Sequence, residues 1–315
     1  MKEENILFVK IVYQWLEVKK TQTTLSTWVK YEQLIRNYIE TFFEGISCNN
    51  LNEELLNLFY SKIQVKSDDV FLSSGTINTI IMIINQVCSF AYDNQFVYKK
   101  LYLKPCISRK KSIVNVFNTN EQKIIEKYIY ESNDIYSLAI LLALYSGIRI
   151  GELCALKWED IDFTNGSLKI TKTVQRLKNN TNNSINKTIL IVTEPKSTSS
   201  YRVIPLPPFV FKYIKKFSLN KSSDAYIFTN KKELPLEPRT LQYAYKKILK
   251  YCGIKYLNFH CLRHTFATRC IMMGLDVKTL SEILGHSDIE ITMEYYFHSS
   301  FEFKKMQMSK LKLIS

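Results

Sequence analysis

DIYSLAILLALYSGIRIGEL, residues 134–153, is the stretch that says most about the fold. Its first part, up to Ser146, is almost wholly apolar and long enough for a helix, which predicts a helix buried inside a domain. Gly147 then permits a sharp turn, and Arg149 follows with Glu152 three residues further on. A new helical turn would place these two side chains within reach of each other. The same pair is also typical of an ordinary surface ion pair.

The residues after this stretch change from helical to strand period. In residues 158–176 the pattern around Asn165-Gly166 predicts a hairpin with a type I′ turn. Residues 188–192 and 201–206 predict further short strands, and Lys196 lies in the polar turn between them. Helices resume after Pro208 and continue to the end of the chain.

The residues before this stretch predict two domains. Residues 1–103 show helical periodicity without any strand pattern, with one helix starting at Ser73 or Ser74. A proline and a basic cluster interrupt the pattern from residue 103 to 112. The second domain then opens near Val114, and Asn118 and Glu121 can cap its first helix. We therefore expect a helical domain at 1–104, a linker at 105–113 and a mainly α second domain with a small antiparallel β-sheet at 114–315.

Charge indicates the class of partner. The chain carries a net charge of +14 and a pI near 9.3. Residues 1–112 contain 14 Lys and Arg against 11 Asp and Glu, and residues 113–315 contain 29 against 18. This balance suggests a polyanionic partner, most simply nucleic acid, the alternative being a basic surface that binds nothing.

Cysteine usage and hydropathy indicate the compartment. The seven cysteines form no Cys-x-x-Cys pair, which fits a reducing cytosol. No signal peptide opens the chain, and the longest apolar run is too short to span a bilayer. We expect a cytoplasmic protein that does not contact a membrane.

Three further segments contain residues that bind phosphate or act as nucleophiles. His260 and Arg263 are spaced to share one face of a helix, and Gly285-His286 follows what the pattern predicts to be a helix C-terminus. Tyr295 and Tyr296 come about ten residues later. There is no His-Glu-x-x-His motif, and carboxylates near the histidines are sparse, so neither a metal site nor a cofactor is expected. Each segment by itself is more typical of a structural role.

Together these residue types match the requirements of transesterification at a phosphodiester. Guanidinium groups suit the extra negative charge of the transition state because they are planar, always charged and bidentate. A lysine can protonate the leaving oxygen. A tyrosine, with an ordinary pKa of about 10, needs nearby positive charge to become a good nucleophile.

The four ordered segments, within residues 20–300, resemble those of the tyrosine recombinases, or phage integrases. Gly-Ile-Arg-Ile-Gly-Glu-Leu at 147–153 is similar to the first arginine box of that family, and the stretch from Lys196 to Pro207 to its β-hairpin lysine segment. Residues 259–268 are similar to the second box, with Cys261 where aspartate is usual. Residues 284–298 are similar to the tyrosine box.

The resemblance implies a fold and a set of residue roles. The fold would be a helical core-binding, SAM-like N-terminal domain followed by a mixed α/β catalytic domain. The functional residues would be two arginines and a histidine that grip the scissile phosphate, a lysine general acid, a histidine that assists at the phosphate and a tyrosine nucleophile: Arg149, Arg263, His260, Lys196, His286 and Tyr296. Tyr295 stays as the alternative nucleophile. The tyrosine would form a 3′-phosphotyrosine link and release a 5′-hydroxyl, without metal or ATP.

The resemblance also implies partners. The helical lobe, at about 20–105, and the catalytic lobe would grip double-stranded DNA at specific core sites. Only about 20 residues precede that lobe, so an additional N-terminal domain is not expected. A homotetramer on DNA, with possible accessory proteins, would recombine two duplexes to integrate or excise a mobile element; dimer resolution and inversion stay open. Two alternatives are a non-catalytic DNA-binding accessory factor and a type IB topoisomerase-like enzyme.

Overall fold

The chain forms two units, Met1–Ser112 and Ile113–Ser315, and each is built around apolar residues of its own. The computed structural model describes residues 6–64, 72–105, 115–178, 188–195, 198–230, 233–286, 288–290, 305 and 308–309.

Helices make up the first unit, as its periodicity predicts. They are α1 (Phe8–Gln22), α2 (Leu25–Leu34), α3 (Thr41–Phe43), α4 (Glu53–Gln64) and α5 (Ser74–Asp93). A π-helical segment, Ile35–Glu40, joins α2 to α3. The side chain of Ser73 accepts the Thr76 N–H, which confirms the predicted start of α5.

The first helix corrects one expectation. We expected the helical lobe to begin near residue 20, but α1 begins at Phe8 and buries Phe8, Ile11 and Trp15 in the core. Partly buried apolar residues, Val9 and Tyr13, lie beside that stripe. Lys10, Gln14 and Glu17 are exposed on the other face, so α1 is an ordinary amphipathic helix, and the bound near residue 20 came from the family resemblance.

Among the described residues, α5 is the one helix long and apolar enough to cross a membrane, with a mean hydropathy of 1.2. Ile80, Ile84 and Val87 are fully buried within the first unit. A core helix of a globular domain has the same length and composition, and α5 packs as such a helix does.

The second unit is organised around the helix predicted from residues 134–146. Its helices are α6 (Thr119–Ser132), α7 (Ile135–Ser146), α8 (Ile150–Ala155), α9 (Pro208–Lys215), α10 (Pro238–Tyr251), α11 (His260–Met272) and α12 (Val277–Leu284). The residues of α7 from Leu138 to Leu144 are at most 1% exposed. Helix α7 contacts α6, α8, α9, α10 and α11, which explains why it is apolar on all sides. The predicted capping box of Asn118 and Glu121 starts α6.

Two small antiparallel sheets complete the second unit. The strands are β1 (Ile161–Asp162), β2 (Ser167–Ile170), β3 (Thr173–Lys178), β4 (Thr188–Thr193) and β5 (Arg202–Pro205). Strand order in the first sheet is β1-β2-β5, with Leu168 opposite Ile204, and β3 pairs with β4 in the second. The predicted strands on either side of Lys196 are therefore present, and they belong to different sheets.

The turn between β1 and β2 differs from the predicted type I′. Gly166 has a φ of +65°, but Asn165 does not have the positive φ that a type I′ turn requires. The carboxylate of Asp162 instead accepts the backbone N–H groups of Thr164 and Asn165, at 2.8 and 2.9 Å. This side-chain cap holds a longer loop, which the Asn-Gly pair by itself does not indicate.

An asparagine on α5 holds the last described segment of the first unit. The Asn85 amide donates to the carbonyl of Leu103 and accepts the N–H of the same residue, both at 2.8 Å. Leu101 and Leu103 are buried. Leu103 is not part of a sheet, and these two hydrogen bonds supply the partners that its backbone N–H and C=O groups would otherwise lack.

Asn85→Ala should therefore release this segment. Loss of two hydrogen bonds of about 1 kcal/mol each should speed amide exchange in a peptide covering residues 101–105 by about tenfold or more. Hydrogen–deuterium exchange with mass spectrometry of the full chain measures this. Asn57→Ala, at an exposed position of α4, is the matched control. Equal exchange in the two variants would contradict the role of Asn85.

Candidate active site

The turn after α7 brings the predicted arginine to the other helices. Gly147 ends α7 with a φ of +63°. A Cβ at this position would lie 2.6 Å from the Phe266 ring and 2.7 Å from Leu284, so glycine allows α7, α11 and α12 to meet here. Arg149 follows in extended conformation immediately before α8.

Arg149 makes the predicted pair with Glu152. Its Nη1 donates to Oε1 of Glu152 at 2.8 Å, and its backbone N–H donates to Oε2 at 3.1 Å. Its Nη2 donates to the carbonyl of Gly285 at 3.0 Å. The side chain keeps 36% of its surface exposed. Arg149 is therefore fixed in orientation and still accessible to a ligand.

Arg263, on α11, is buried beside the same turn, with 2% of its surface exposed. Its Nη1 donates to the carbonyl of Gly147 at 2.7 Å, and its Nη2 donates to the carbonyl of Leu284 at 2.8 Å. The guanidinium thus ties the end of α7 to the end of α12.

Arg202 is a third arginine of the site, and no role was predicted for it. Its Nε donates to the carbonyl of Ile283 at 2.6 Å, and its Nη2 donates to Oε2 of Glu152 at 2.7 Å. Its side chain is only 5% exposed. The residue lies in the segment that resembles the lysine region, but its partners are 50 and 81 residues away and leave no signal in the local pattern.

The three arginines converge on consecutive carbonyls at the end of α12. Arg202, Arg263 and Arg149 donate to the carbonyls of Ile283, Leu284 and Gly285 respectively. The last carbonyls of a helix have no partner within the helix and carry its negative partial charge. We call this arrangement the carbonyl clamp.

Two histidines adjoin the clamp. His260 is the first residue of α11, and its ring packs edge-on against His264 with centroids 4.6 Å apart. His286 follows Gly285, which has the αL conformation predicted for the residue after a helix. The structure thus brings together four of the six predicted site residues: Arg149, His260, Arg263 and His286.

The surroundings favour neutral imidazoles. Burial, followed by the charges of Arg263, Arg149 and Arg202, lowers the pKa of His286 to about 3. Partial burial, followed by His264 and then Arg263 and Arg149, lowers the pKa of His260 to about 4. His260 is an exposed residue and His286 a half-buried one, so water screens the arginine charges more at His260 and we expect the larger effect at His286.

Glu152 supplies the negative charge of the cluster. Burial by itself would raise the pKa of its carboxyl, but the hydrogen bonds and charge of Arg202, with those of Arg149, hold the pKa below its usual value. Three guanidiniums and one carboxylate leave the cluster strongly positive. A phosphate diester is the type of anion that such a group of donors binds.

The remaining predicted site residues, Lys196, Tyr296 and the alternative Tyr295, lie outside the described residues. Cys261 is buried, with its Sγ 3.5 Å from Oδ1 of Asn258. Within the described part of the chain, no group of three or more His, Cys, Asp or Glu side chains is placed to hold a metal ion.

The histidines make stability depend on pH in a defined window. A histidine with a folded-state pKa below the unfolded value of about 6.5 stabilises the fold above that pH and destabilises it as the pH falls. The free energy of unfolding of the second unit should therefore drop by about 1 to 2 kcal/mol between pH 6.5 and pH 5. Asp and Glu carboxylates titrate mainly below about pH 5, so they contribute little to this drop in the free energy of unfolding.

Urea denaturation followed by Trp158 fluorescence, with Trp15 and Trp28 replaced by Phe, reports on the second unit. His286→Gln should flatten the pH dependence, whereas an unchanged slope would show that the pKa of His286 is not depressed.

Comparison with known proteins gives matches over both units. Residues 114–302 match the phage integrase family, and residues 7–63 match the phage integrase N-terminal SAM-like domain. The first of these regions is more than half of the chain.

Individual proteins agree with these matches. A tyrosine recombinase XerC-like protein of Caldanaerobacter subterraneus subsp. tengcongensis is 29% identical over 94% of this chain and 80% of its own length. The transposase from transposon Tn916 of Enterococcus faecalis is 29% identical over 55% of this chain and 44% of its own. The solved integrase of transposon Tn1549, in complex with a circular intermediate DNA, has a TM-score of 0.78 at 20% identity, over 98% of this chain and 100% of that one.

These findings confirm the predicted fold class, a helical SAM-like N-terminal part followed by a mainly helical part with small antiparallel sheets. They also confirm the resemblance drawn from the four segments. The chain belongs to the phage integrase family, that is, to the tyrosine recombinases.

Proposed function

We propose that this chain is a site-specific DNA recombinase of the integrase type. It cleaves and rejoins DNA through a covalent 3′-phosphotyrosine intermediate, and it integrates and excises a mobile element. The carbonyl clamp is the observation that carries this proposal, because it gathers Arg149 and Arg263 beside His286 from segments far apart in the chain.

The geometry of the described residues supports a role in binding the scissile phosphate. Arg149 keeps an accessible guanidinium after binding Glu152 and Gly285, so it can donate to a non-bridging oxygen. Arg263 and His260 complete the grip on the phosphate, and His286 assists. Neutral histidines hydrogen-bond a phosphate through one N–H while the arginines supply the charge.

The remaining roles fall on residues outside the described ranges. Tyr296 attacks the phosphorus, breaks the bond to the 5′-oxygen and forms the phosphotyrosine ester. Lys196 donates the proton that the leaving 5′-oxygen needs. The position of Arg202 supports the second assignment, since it anchors to the clamp the segment that follows Lys196. Because the ester conserves the bond energy, rejoining requires neither ATP nor a cofactor.

We assign a separate function to each of the two units. We assign residues 1–104 to core-site binding, 105–113 to a linker and 114–315 to catalysis. The partner is double-stranded DNA with specific core sites, on which four copies assemble, with possible accessory proteins, in the cytoplasm. The net charge of +14 supports a DNA partner, as does the Tn1549 integrase, which was solved with DNA.

The biological context follows from the relatives. The transposase of Tn916 and the integrase of Tn1549 are transposon proteins. This chain matches part of the first in sequence, and in fold it matches the whole of the solved fragment of the second, residues 82–397 of that protein. Integration and excision of a mobile element is therefore favoured over resolution of chromosome dimers.

A suicide substrate tests the chemistry directly. A core-site duplex with a nick beside the cleavage position loses a short 5′-hydroxyl fragment and traps the covalent complex. Wild-type protein should form a denaturant-stable adduct, and Tyr296→Phe should form none because phenylalanine has no nucleophilic oxygen. Tyr295→Phe is the matched control and should keep adduct formation.

Any other outcome of this experiment would support a different assignment. Loss of the adduct in Tyr295→Phe, with retention in Tyr296→Phe, would transfer the nucleophile to Tyr295. Wild-type DNA binding without any adduct would favour a non-catalytic accessory factor. Cleavage and relaxation of supercoiled DNA, without exchange between two sites, would favour a type IB topoisomerase-like enzyme.

Arg149→Ala should separate cleavage from binding. Contacts to other phosphates supply most of the affinity, so the Kd for core DNA should change by about threefold or less. Loss of a donor to the transition state should lower the cleavage rate by about 10²-fold to 10³-fold. Mobility-shift titration and single-turnover cleavage measure the two quantities. If binding were lost in parallel with cleavage, the role of Arg149 in catalysis would be unsupported.

A further inference from the structure

We propose that Arg202 is a positioning residue for cleavage, which orients Arg149 through Glu152 and holds the turn that presents His286, without touching the phosphate. This inference rests on the proposed function and adds to it a residue that none of the predicted roles included.

The donors of Arg202 are used inside the protein. Besides its bonds to Ile283 and to Oε2 of Glu152, its Nη1 donates to Oε1 of Glu152 at 3.3 Å and to the carbonyl of Ser200 at 3.1 Å. These bonds occupy four of the five N–H groups of a guanidinium. At most one N–H group of Arg202 is left for an acceptor outside the protein, so its donors serve internal contacts and not DNA.

Arg202 and Arg149 share both oxygens of one carboxylate. Oε1 of Glu152 accepts from Nη1 of Arg149 and Nη1 of Arg202, and Oε2 accepts from the Arg149 backbone and Nη2 of Arg202. A carboxylate held on both oxygens from two sides cannot rotate without breaking hydrogen bonds. Arg202 therefore fixes the group that sets the direction of the Arg149 guanidinium.

Arg202 also supports the turn after α12. A Cβ at Gly285 would lie 3.0 Å from both Cδ and Nη1 of Arg202, so the backbone of Gly285 packs directly on this side chain. The bond from Nε to the carbonyl of Ile283 holds the preceding turn of helix. His286 is the next residue, and its direction depends on this support.

Arg202→Gln in the full chain tests the proposal on the nicked core-site duplex. At saturating DNA, single-turnover cleavage should slow about tenfold or more, while the Kd stays within about threefold because affinity comes from other phosphate contacts. Arg202→Lys keeps the charge but cannot bridge both Glu152 oxygens and Ile283, so its rate should lie between those of the wild type and Arg202→Gln.

Arg176→Gln is the matched control. Arg176 also binds both oxygens of a glutamate, Glu237, at 2.5 and 3.0 Å, but its partner lies outside the carbonyl clamp. This variant should cleave at the wild-type rate. It separates the position of Arg202 from the general cost of removing an arginine–glutamate pair.

Two readouts distinguish positioning from stability. Without Arg202 the pKa of Glu152 should rise, so the acid limb of the cleavage rate should move to higher pH. If Arg202 acts through Glu152, the two substitutions should not be additive. The cleavage rate of the double variant Arg202→Gln/Glu152→Gln should then be close to that of the slower of the two single variants. A structural defect by itself would lower the melting temperature without producing either result.

The outcomes are separable from those of the proposed function. If wild-type protein forms no adduct, the proposed function fails and Arg202 has no cleavage to position. If wild type cleaves and both Arg202 variants cleave at its rate, the positioning role alone is overturned. Should Arg202→Gln fail to fold, Arg202→Lys decides: slower cleavage with unchanged binding supports the role, and a wild-type rate overturns it.

Discussion

Three arginine side chains share the C-terminal turn of α12, and the geometry of the whole site depends on that sharing. The carbonyls of Ile283, Leu284 and Gly285 would otherwise end the helix without partners, and each accepts from a different guanidinium. The partial negative charge of a helix terminus also offsets the repulsion between the three cations. The cluster can therefore exist before any phosphate is present to neutralise it.

The same charge sets the protonation of the neighbouring groups. Arginines beside His286 add to burial in holding its pKa low, whereas Arg202 and Arg149 keep Glu152 ionised against the effect of burial. The negative charge of a bound phosphodiester would offset the charge of the arginines. Binding of DNA should therefore raise the pKa values of these histidines toward the usual range. Backbone carbonyls thus fix the geometry of the site, whereas the protonation of its histidines depends on whether a phosphate is bound.

Local features of the site could be predicted from the sequence, and distant ones could not. The helix at 135–146, the turn at Gly147 and the pair of Arg149 with Glu152 depend on residues no more than four apart. The role of Arg202 depends on acceptors 50 and 81 residues away, one of them a backbone carbonyl that no side chain marks. In the fold, the β1–β2 turn differs from its prediction because the Asp162 side chain binds two backbone N–H groups and overrides the Asn-Gly preference.

Because the clamp binds main-chain oxygens, it constrains few side chains. Any residue at 283 or 284 supplies the same carbonyl, provided that the helix continues to that point and its apolar side chains still pack. Gly285 is different, because its φ of +66° would strain any residue with a Cβ, and that Cβ would lie only 3.0 Å from Arg202 and from the Ser199 carbonyl. We therefore expect tolerance along α12 and intolerance at Gly147, at Gly285 and at the three arginines. A site built in this way can keep its geometry while most of the surrounding sequence changes, which is consistent with a fold shared at 20% identity.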